Sequence, residues 1–301
     1  LEESYRRLDS FKFNARQVPN RPGKQVFVLV IGETSQRGHW QLNGYNRATN
    51  PLLSKTENII SFSDMLSPSS GTRTAVPIIL TRKPAARALN FSFNEKSIIS
   101  AFKEAGFSTY WLSTQVPLGL HDTMVSVYAK EADHIGFYNL SDYHHKGSFD
   151  SILLAPLEKI LAKKEEKQFI ILHTLGSHFD YASRYPDEFD IFKPSLKSVK
   201  NPSLHDYSQR TELRNSYDNS IIFTDYVLSK SINLLSKYAP YSFLFYTSDH
   251  GEDVYDGKCM SSGHGRNSRT NYEIAALSWT SDLYKINNMQ KVNALNKNSY
   301  K

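Results

Sequence analysis

The stretch QVFVLVI at 25–31, followed at once by Gly32-Glu33-Thr34-Ser35, decides the reading of this chain. An apolar, β-branched run with no polar alternation is a strand buried on both faces, as in a parallel sheet covered by helices. Residues 108–112 (STYWL), 168–173 (QFIILH) and 242–247 (SFLFYT) repeat that character, and 275–279 (AALSW) supplies a last strand. Helical stretches lie between them: 95–104 before Gly106, 151–164, and a long one over 206–238. In the long one Tyr217, Ile221, Thr224, Val227 and Leu228 fall at helical spacing, which marks core, and it stops before Pro240. The alternation predicts an α/β fold with a central, mostly parallel sheet between helices. Residues 179–202, rich in Pro, Asp and Ser, read as a surface excursion.

The 301 residues suffice for one large domain with a buried core. No run of about 18 apolar residues is present to span a bilayer. The polar opening segment begins with Leu, so residues 1–24 read as a linker from a missing N-terminal membrane anchor, and 25–301 as the catalytic domain, soluble by itself. The net charge of +6 suits anionic substrates or lipid head groups. Lys163, Lys164 and Lys167 are interleaved with Glu165 and Glu166, the pattern of a solvated face, so nucleic acid is not an expected partner. The single cysteine, Cys259, excludes an intrachain disulfide and a cysteine-rich zinc site.

Three of the strands end in a burst of polar residues, and in doubly wound sheets ligands bind beyond the carboxyl ends of strands. Glu33 follows the first strand; Thr247-Ser248-Asp249-His250-Gly251-Glu252 follows 242–247; His173-Thr174-Leu175-Gly176-Ser177-His178 ends the third. A carboxylate beside an adjacent Asp-His pair is a zinc-binding set, so Glu33, Asp249 and His250 are the expected ligands. His178 and His264, the latter in the Gly-rich loop 261–265, are placed to ligate a metal or, when charged, to grip phosphate. A nucleophile is offered by Ser69-Ser70-Gly71-Thr72-Arg73-Thr74, which resembles a helix start favourable to anions, although an ordinary N-cap has the same appearance.

Taken in order, G-E-T-S at 32–35, N-G-Y-N-R-A-T-N-P at 43–51, G-T-R-T-A-V-P at 71–77, H-T-L-G-S-H at 173–178, S-D-H-G-E at 248–252 and G-H-G at 263–265 resemble the phosphoethanolamine transferases. These belong to the alkaline-phosphatase and sulfatase superfamily. The resemblance implies a three-layer fold and a membrane-anchored enzyme at the periplasmic face of the bacterial inner membrane. It further implies transfer of phosphoethanolamine from phosphatidylethanolamine to an envelope acceptor such as lipopolysaccharide. It assigns the zinc ligands to Glu33, Thr74, Asp249 and His250, with Thr74 the residue that carries the group, and phosphate contacts to Thr72, His178 and His264. One zinc is expected, with a second as a transient assistant.

Three departures bear on the acceptor and donor. Ser70 and Ile78 stand where lipid A-modifying members carry cysteines flanking the nucleophile loop, and the stretch from Thr74 to Pro77 is a residue short. Both favour a core heptose or another glycan over lipid A. No lysine follows strand 108–112 at the donor-contact position; Gln115 or His121 substitutes. The rival readings are a phosphoglycerol transferase, a superfamily hydrolase, and an inactive envelope-binding relative. A sulfatase proper is disfavoured, since the Cys/Ser-x-Pro-x-Arg motif that yields formylglycine is absent.

Overall fold

A computed structural model describes residues 10–17, 23–89, 93, 95–116, 123–139, 148–256 and 260–300. Cys259, His121 and parts of the expected linker (1–9 and 18–22) lie outside them. In chain order the strands are β1 (Gln25–Gly32), β2 (Ile59–Phe62), β3 (Ser108–Ser113), β4 (His134–Phe137), β5 (Lys167–His173), β6 (Tyr241–Ser248), β7 (Asp253–Val254), β8 (Ser262–Gly263) and β9 (Ala276–Thr280). The main helices are α1 (Thr72–Leu80), α2 (Ile98–Glu104), α3 (Thr123–Ala129), α4 (Leu154–Leu161) and α5 (Arg210–Tyr238). Two further helices, Asp282–Asn287 and Met289–Asn298, close the chain.

Seven strands form one sheet in the order β2-β9-β6-β1-β5-β3-β4. The strand that opened the sequence reading lies inside it, parallel to β5 on one side and β6 on the other. Within this sheet, among the described residues, the β9 pairings with β6 and with β2 are the antiparallel ones. Successive side chains of a strand point to opposite faces, so the continuous apolar run supplies both. Val26, Val28 and Val30 face α4 and α5 through Leu157, Ile160, Tyr217, Ile221 and Leu228. Leu29 and Ile31 face α1, α2 and α3 through Val76, Leu80, Ile99, Tyr128 and Ala129. Each such aliphatic chain, fully buried, contributes about 1.5–3 kcal/mol. The three-layer α/β arrangement expected from the sequence is thus the one observed.

Boundaries moved where local chemistry overrode periodicity. The helix expected from residue 95 starts at Ile98, because Ser97 caps it by accepting from Ile99 N and is itself anchored by Glu131. The stretch 151–164 divides into a 3-10 turn, Asp150–Leu153, and α4. The 29-residue α5 ends just before Pro240, whose ring disfavours helical backbone in the preceding residue.

Residues 179–202 form the expected surface excursion of short turns, exposed or half-buried over most of its length, but it is pinned to α5 by a few buried side chains. Tyr181 and Tyr185 are fully buried, and Tyr185 packs on Phe223 and Val227 of α5. Phe192 N and Leu196 N donate to Asn219 Oδ1 and Ser216 Oγ on the same helix. The Pro and Asp residues make short turns, while the aromatic rings between them cover a helix that the sheet alone would leave half exposed. Among the described residues no helix is long and apolar enough to cross a membrane.

Candidate active site

The polar bursts converge beyond the carboxyl ends of β1, β5 and β6. Glu33 follows β1, and Asp249 and His250 follow β6; all three are at most 1% exposed. The turn after β1 is aimed by Thr34, a non-glycine residue at φ 53°, whose N–H donates to Asp249 Oδ1 (3.2 Å). The third loop closes on the first: Ser177 N donates to Glu33 O (3.0 Å). Gly176 makes that approach possible, since it sits at φ +49° and a Cβ there would stand 2.7 Å from Glu33 O.

Each ligand candidate has one polar atom engaged by protein. Glu33 Oε2 accepts from Gln115 Nε2 (3.1 Å) and from Thr72 Oγ1 (3.0 Å). Asp249 Oδ1 accepts from His250 N (2.7 Å) and Thr34 N. His250 Nδ1 lies 2.9 Å from Gly251 O, a carbonyl with no hydrogen to give, so Nδ1 is the donor and Nε2 faces the carboxylates. What remains is Glu33 Oε1 and Asp249 Oδ2, both buried and facing only His250 Nε2, at 3.1 and 3.5 Å. One ligand atom from each of the three residues lies within 4.8 Å of the others.

Two buried carboxylates this close are costly without a cation. Burial and the Glu33 charge hold Asp249 well above the usual carboxylate range, to about 7. Burial would lower His250, yet Asp249 and Glu33 raise it to about 10. Burial likewise opposes ionisation of Glu33, but the charge and hydrogen bond of His250 hold its carboxyl well below the ordinary range. These two remaining oxygens, the oriented imidazole and the mixed O and N donors fit a divalent metal, with Gln115, Thr34 and Gly251 as the outer partners that orient the ligands.

The hydroxyl at this triad belongs to Thr72. It occupies the first position of α1, 3.0 Å from Glu33 Oε2 and 3.2 Å from His250 Nε2. Thr74, expected there as ligand and nucleophile, has its hydroxyl turned to Gly71 O (3.0 Å) and Ser69 Oγ. The physical reason is helical: residues two apart project about 200° apart around the axis, so one threonine of the pair faces the metal set and the other cannot. Thr72, expected to contact phosphate, therefore takes the position the resemblance gave to Thr74.

His178 and His264 join the same cluster. The His264 ring lies 4.2 Å from that of His250 and 6.1 Å from that of His178. His178 Nδ1 is 2.6 Å from Phe179 O, and His264 Nδ1 is 2.8 Å from Glu252 Oε2. Burial lowers both, but Glu252 outweighs it at His264 and raises that imidazole, whereas burial prevails at His178. The two imidazoles are thus shifted in opposite directions within one cluster that also holds His250. His173 stays beneath the site, its pKa lowered by burial to about 4.

Sequence reasoning missed several supports. Gln115, considered as a donor contact, holds Glu33 and also donates to Thr174 O (2.8 Å). Asp150 accepts from Leu175 N and Gly176 N (both 2.9 Å) and so fixes the loop that carries His178. Tyr217 OH receives Gln36 N and donates to Thr34 O, anchoring the Glu33 turn to α5. None carries a motif; Tyr217 was recognised only as core.

A parallel sheet between helix layers, with a buried ligand triad at its carboxyl edge and a threonine at a helix start, defines an alkaline-phosphatase/sulfatase-like protein. The chain belongs to the sulfatase family, whose family model matches residues 25–299. It is 33% identical over 278 residues to phosphoethanolamine transferase CptA of Salmonella typhimurium, covering 87% of this chain and 46% of the relative. It is 31% identical, with the same coverage, to phosphoethanolamine transferase EptC of Escherichia coli K12. The chain spans about half the length of these curated relatives. Among solved structures, the C-terminal periplasmic domain of Escherichia coli EptC in complex with Zn superposes with a TM-score of 0.78 at 29% identity, over 90% of this chain and 76% of that one.

Proposed function

We propose that this chain is the catalytic portion of a zinc-dependent phosphoethanolamine transferase at the periplasmic face of the bacterial inner membrane. Its donor is phosphatidylethanolamine and its acceptor an envelope glycan, the core heptose of lipopolysaccharide being favoured over lipid A. The observation that carries the reading is the Thr72 hydroxyl set against Glu33 and His250 at the start of α1. The acceptor preference rests on Ser70 and Ile78, which leave the nucleophile loop without flanking cysteines.

Glu33, Asp249 and His250 are the residues that would hold the zinc. The ion supplies charge neutralisation and a large drop in the proton affinity of a nearby hydroxyl. Thr72 Oγ1 loses its proton and forms the bond to phosphorus as the bond to the diacylglycerol oxygen breaks, and the lipid departs as diacylglycerol with the proton. The acceptor hydroxyl then attacks the phosphothreonine ester, and Thr72 recovers a proton. The N-terminal end of α1 and the His264 imidazole, whose pKa the neighbouring Glu252 raises against burial, offset the negative charge on the phosphoryl oxygens in both steps.

Intact mass spectrometry after incubation of the zinc-loaded protein with phosphatidylethanolamine tests the reading. The expected result is a phosphoethanolamine adduct that disappears in Thr72→Ala and persists in Thr74→Ala. Loss in Thr74→Ala alone would restore the assignment made by resemblance. An adduct from phosphatidylglycerol but not from phosphatidylethanolamine would identify a phosphoglycerol transferase, and no adduct from either would leave an inactive relative.

A further inference from the structure

Outside the triad, one buried charged cluster draws together three separate parts of the chain. His39 is 3% exposed and lies on the segment that follows the Glu33 turn. Its Nδ1 is 2.6 Å from Asp218 Oδ1 on α5 and its Nε2 is 2.9 Å from Asp256 Oδ2, just beyond β7. Carboxylate oxygens facing both ring nitrogens require both to carry hydrogen, so the ring is an imidazolium. Asp218 also receives Tyr45 OH (2.9 Å) and Arg47 Nη1 (2.7 Å), which gives the N-G-Y-N-R stretch its structural purpose. Arg214 Nε lies 3.4 Å from Asp256, and the rings of Tyr45 and Tyr217 complete the surroundings.

The consequence runs through the β7–β8 hairpin. Asp253 pairs with Gly263 and Val254 with Ser262, so β8 delivers His264 directly after the ladder. Tyr255, between β7 and Asp256, is a non-glycine residue at φ 60°, held by its N–H to Ser261 O and by Arg214 Nη2 at its carbonyl (2.7 Å). On the other side of the clasp, Tyr217, the neighbour of Asp218, grips Thr34 O beside Glu33. We propose that His39 is a positioning residue for the transfer reaction, clasping the hairpin that carries His264 to α5 and the Glu33 turn and so fixing His264 relative to the triad. This rests on the functional reading above, in which His264 supports the phosphoryl group.

A double-mutant cycle on the zinc-loaded protein tests it, with Asp256→Asn as the milder, more exposed partner should His39→Asn fold poorly. His39→Asn and Asp256→Asn are each expected to lower kcat for adduct formation by about tenfold to a hundredfold with KM and zinc content little changed, and their combination to be no worse than either alone. In a His264→Ala background, His39→Asn is expected to have no further effect. An equal loss in that background, or no loss in the otherwise native protein, would overturn the clasp. Side-chain NMR of His264 decides the matter without turnover: its ring resonances should shift in Asp256→Asn, and unmoved resonances reject the positioning role even if the proposed donor proves wrong.

Discussion

The Thr72 hydroxyl donates to Glu33 Oε2 at 3.0 Å, across 39 positions of sequence, while Thr74 turns away to Gly71 O. Thr72→Ala should therefore reduce turnover about a thousandfold or more, as removal of a nucleophile does. Thr74→Ala should retain turnover and lose about 1–2 kcal/mol of stability for its two local hydrogen bonds, to Gly71 O and Ser69 Oγ. Steady-state kinetics beside denaturant melts separate the two, and the reverse ranking would reject the assignment.

The triad should couple metal binding to stability. Zinc at about 100 times its Kd raises stability by about 2.7 kcal/mol, and a chelator should remove that increment. Glu33→Gln should abolish the difference between loaded and stripped protein. Gln115→Ala, which releases Glu33 Oε2 and leaves all three ligands in place, should weaken zinc about tenfold to a hundredfold in a competition titration.

Gly176→Ala places a methyl group 2.7 Å from Glu33 O in a left-handed backbone. The substitution should cost about 2 kcal/mol and displace the Glu33 turn or the His178 loop. Thermal melting and zinc content measured together check this: unchanged zinc affinity with unchanged stability would show that the two loops are not in contact as described.

His39 gives a pH dependence of definite sign. Burial alone would lower its pKa, but the hydrogen bonds and charges of Asp218 and Asp256 raise it to about 9. A raised histidine contributes stability that is fully present below the unfolded value near 6.5 and is lost as pH rises through about 9. The loss is on the order of 3 kcal/mol at full deprotonation. Denaturant midpoints of the native protein minus those of His39→Asn, taken at pH 6, 8 and 10, should shrink toward alkaline pH; a flat difference would exclude a charged His39.

The core strands were legible because burial on both faces leaves its mark in each run separately: the run at 25–31 became Gln25–Gly32, and that at 168–173 became Lys167–His173. Edge elements were not. Ile59–Phe62 and His134–Phe137 are four residues each and largely half-buried or exposed, too short for burial to write a run that stands out from a loop. Glu33, Asp249 and His250 were readable from their place at strand ends, since a charged residue there must meet a partner.

Sequence alone determined the α/β class and brought Glu33, Asp249 and His250 to the carboxyl edge of the sheet as candidate metal ligands, because strand burial and strand-end polarity are local signals. Which threonine faces that site was decided only by the tertiary structure. Thr72 and Thr74 have the same chemistry and nearly the same neighbours, and the choice between them is set by the rotation of α1 about its axis. Packing of Val76 and Leu80 against Ile31 and Ile171 fixes that rotation, and those contacts are made by residues remote in the chain.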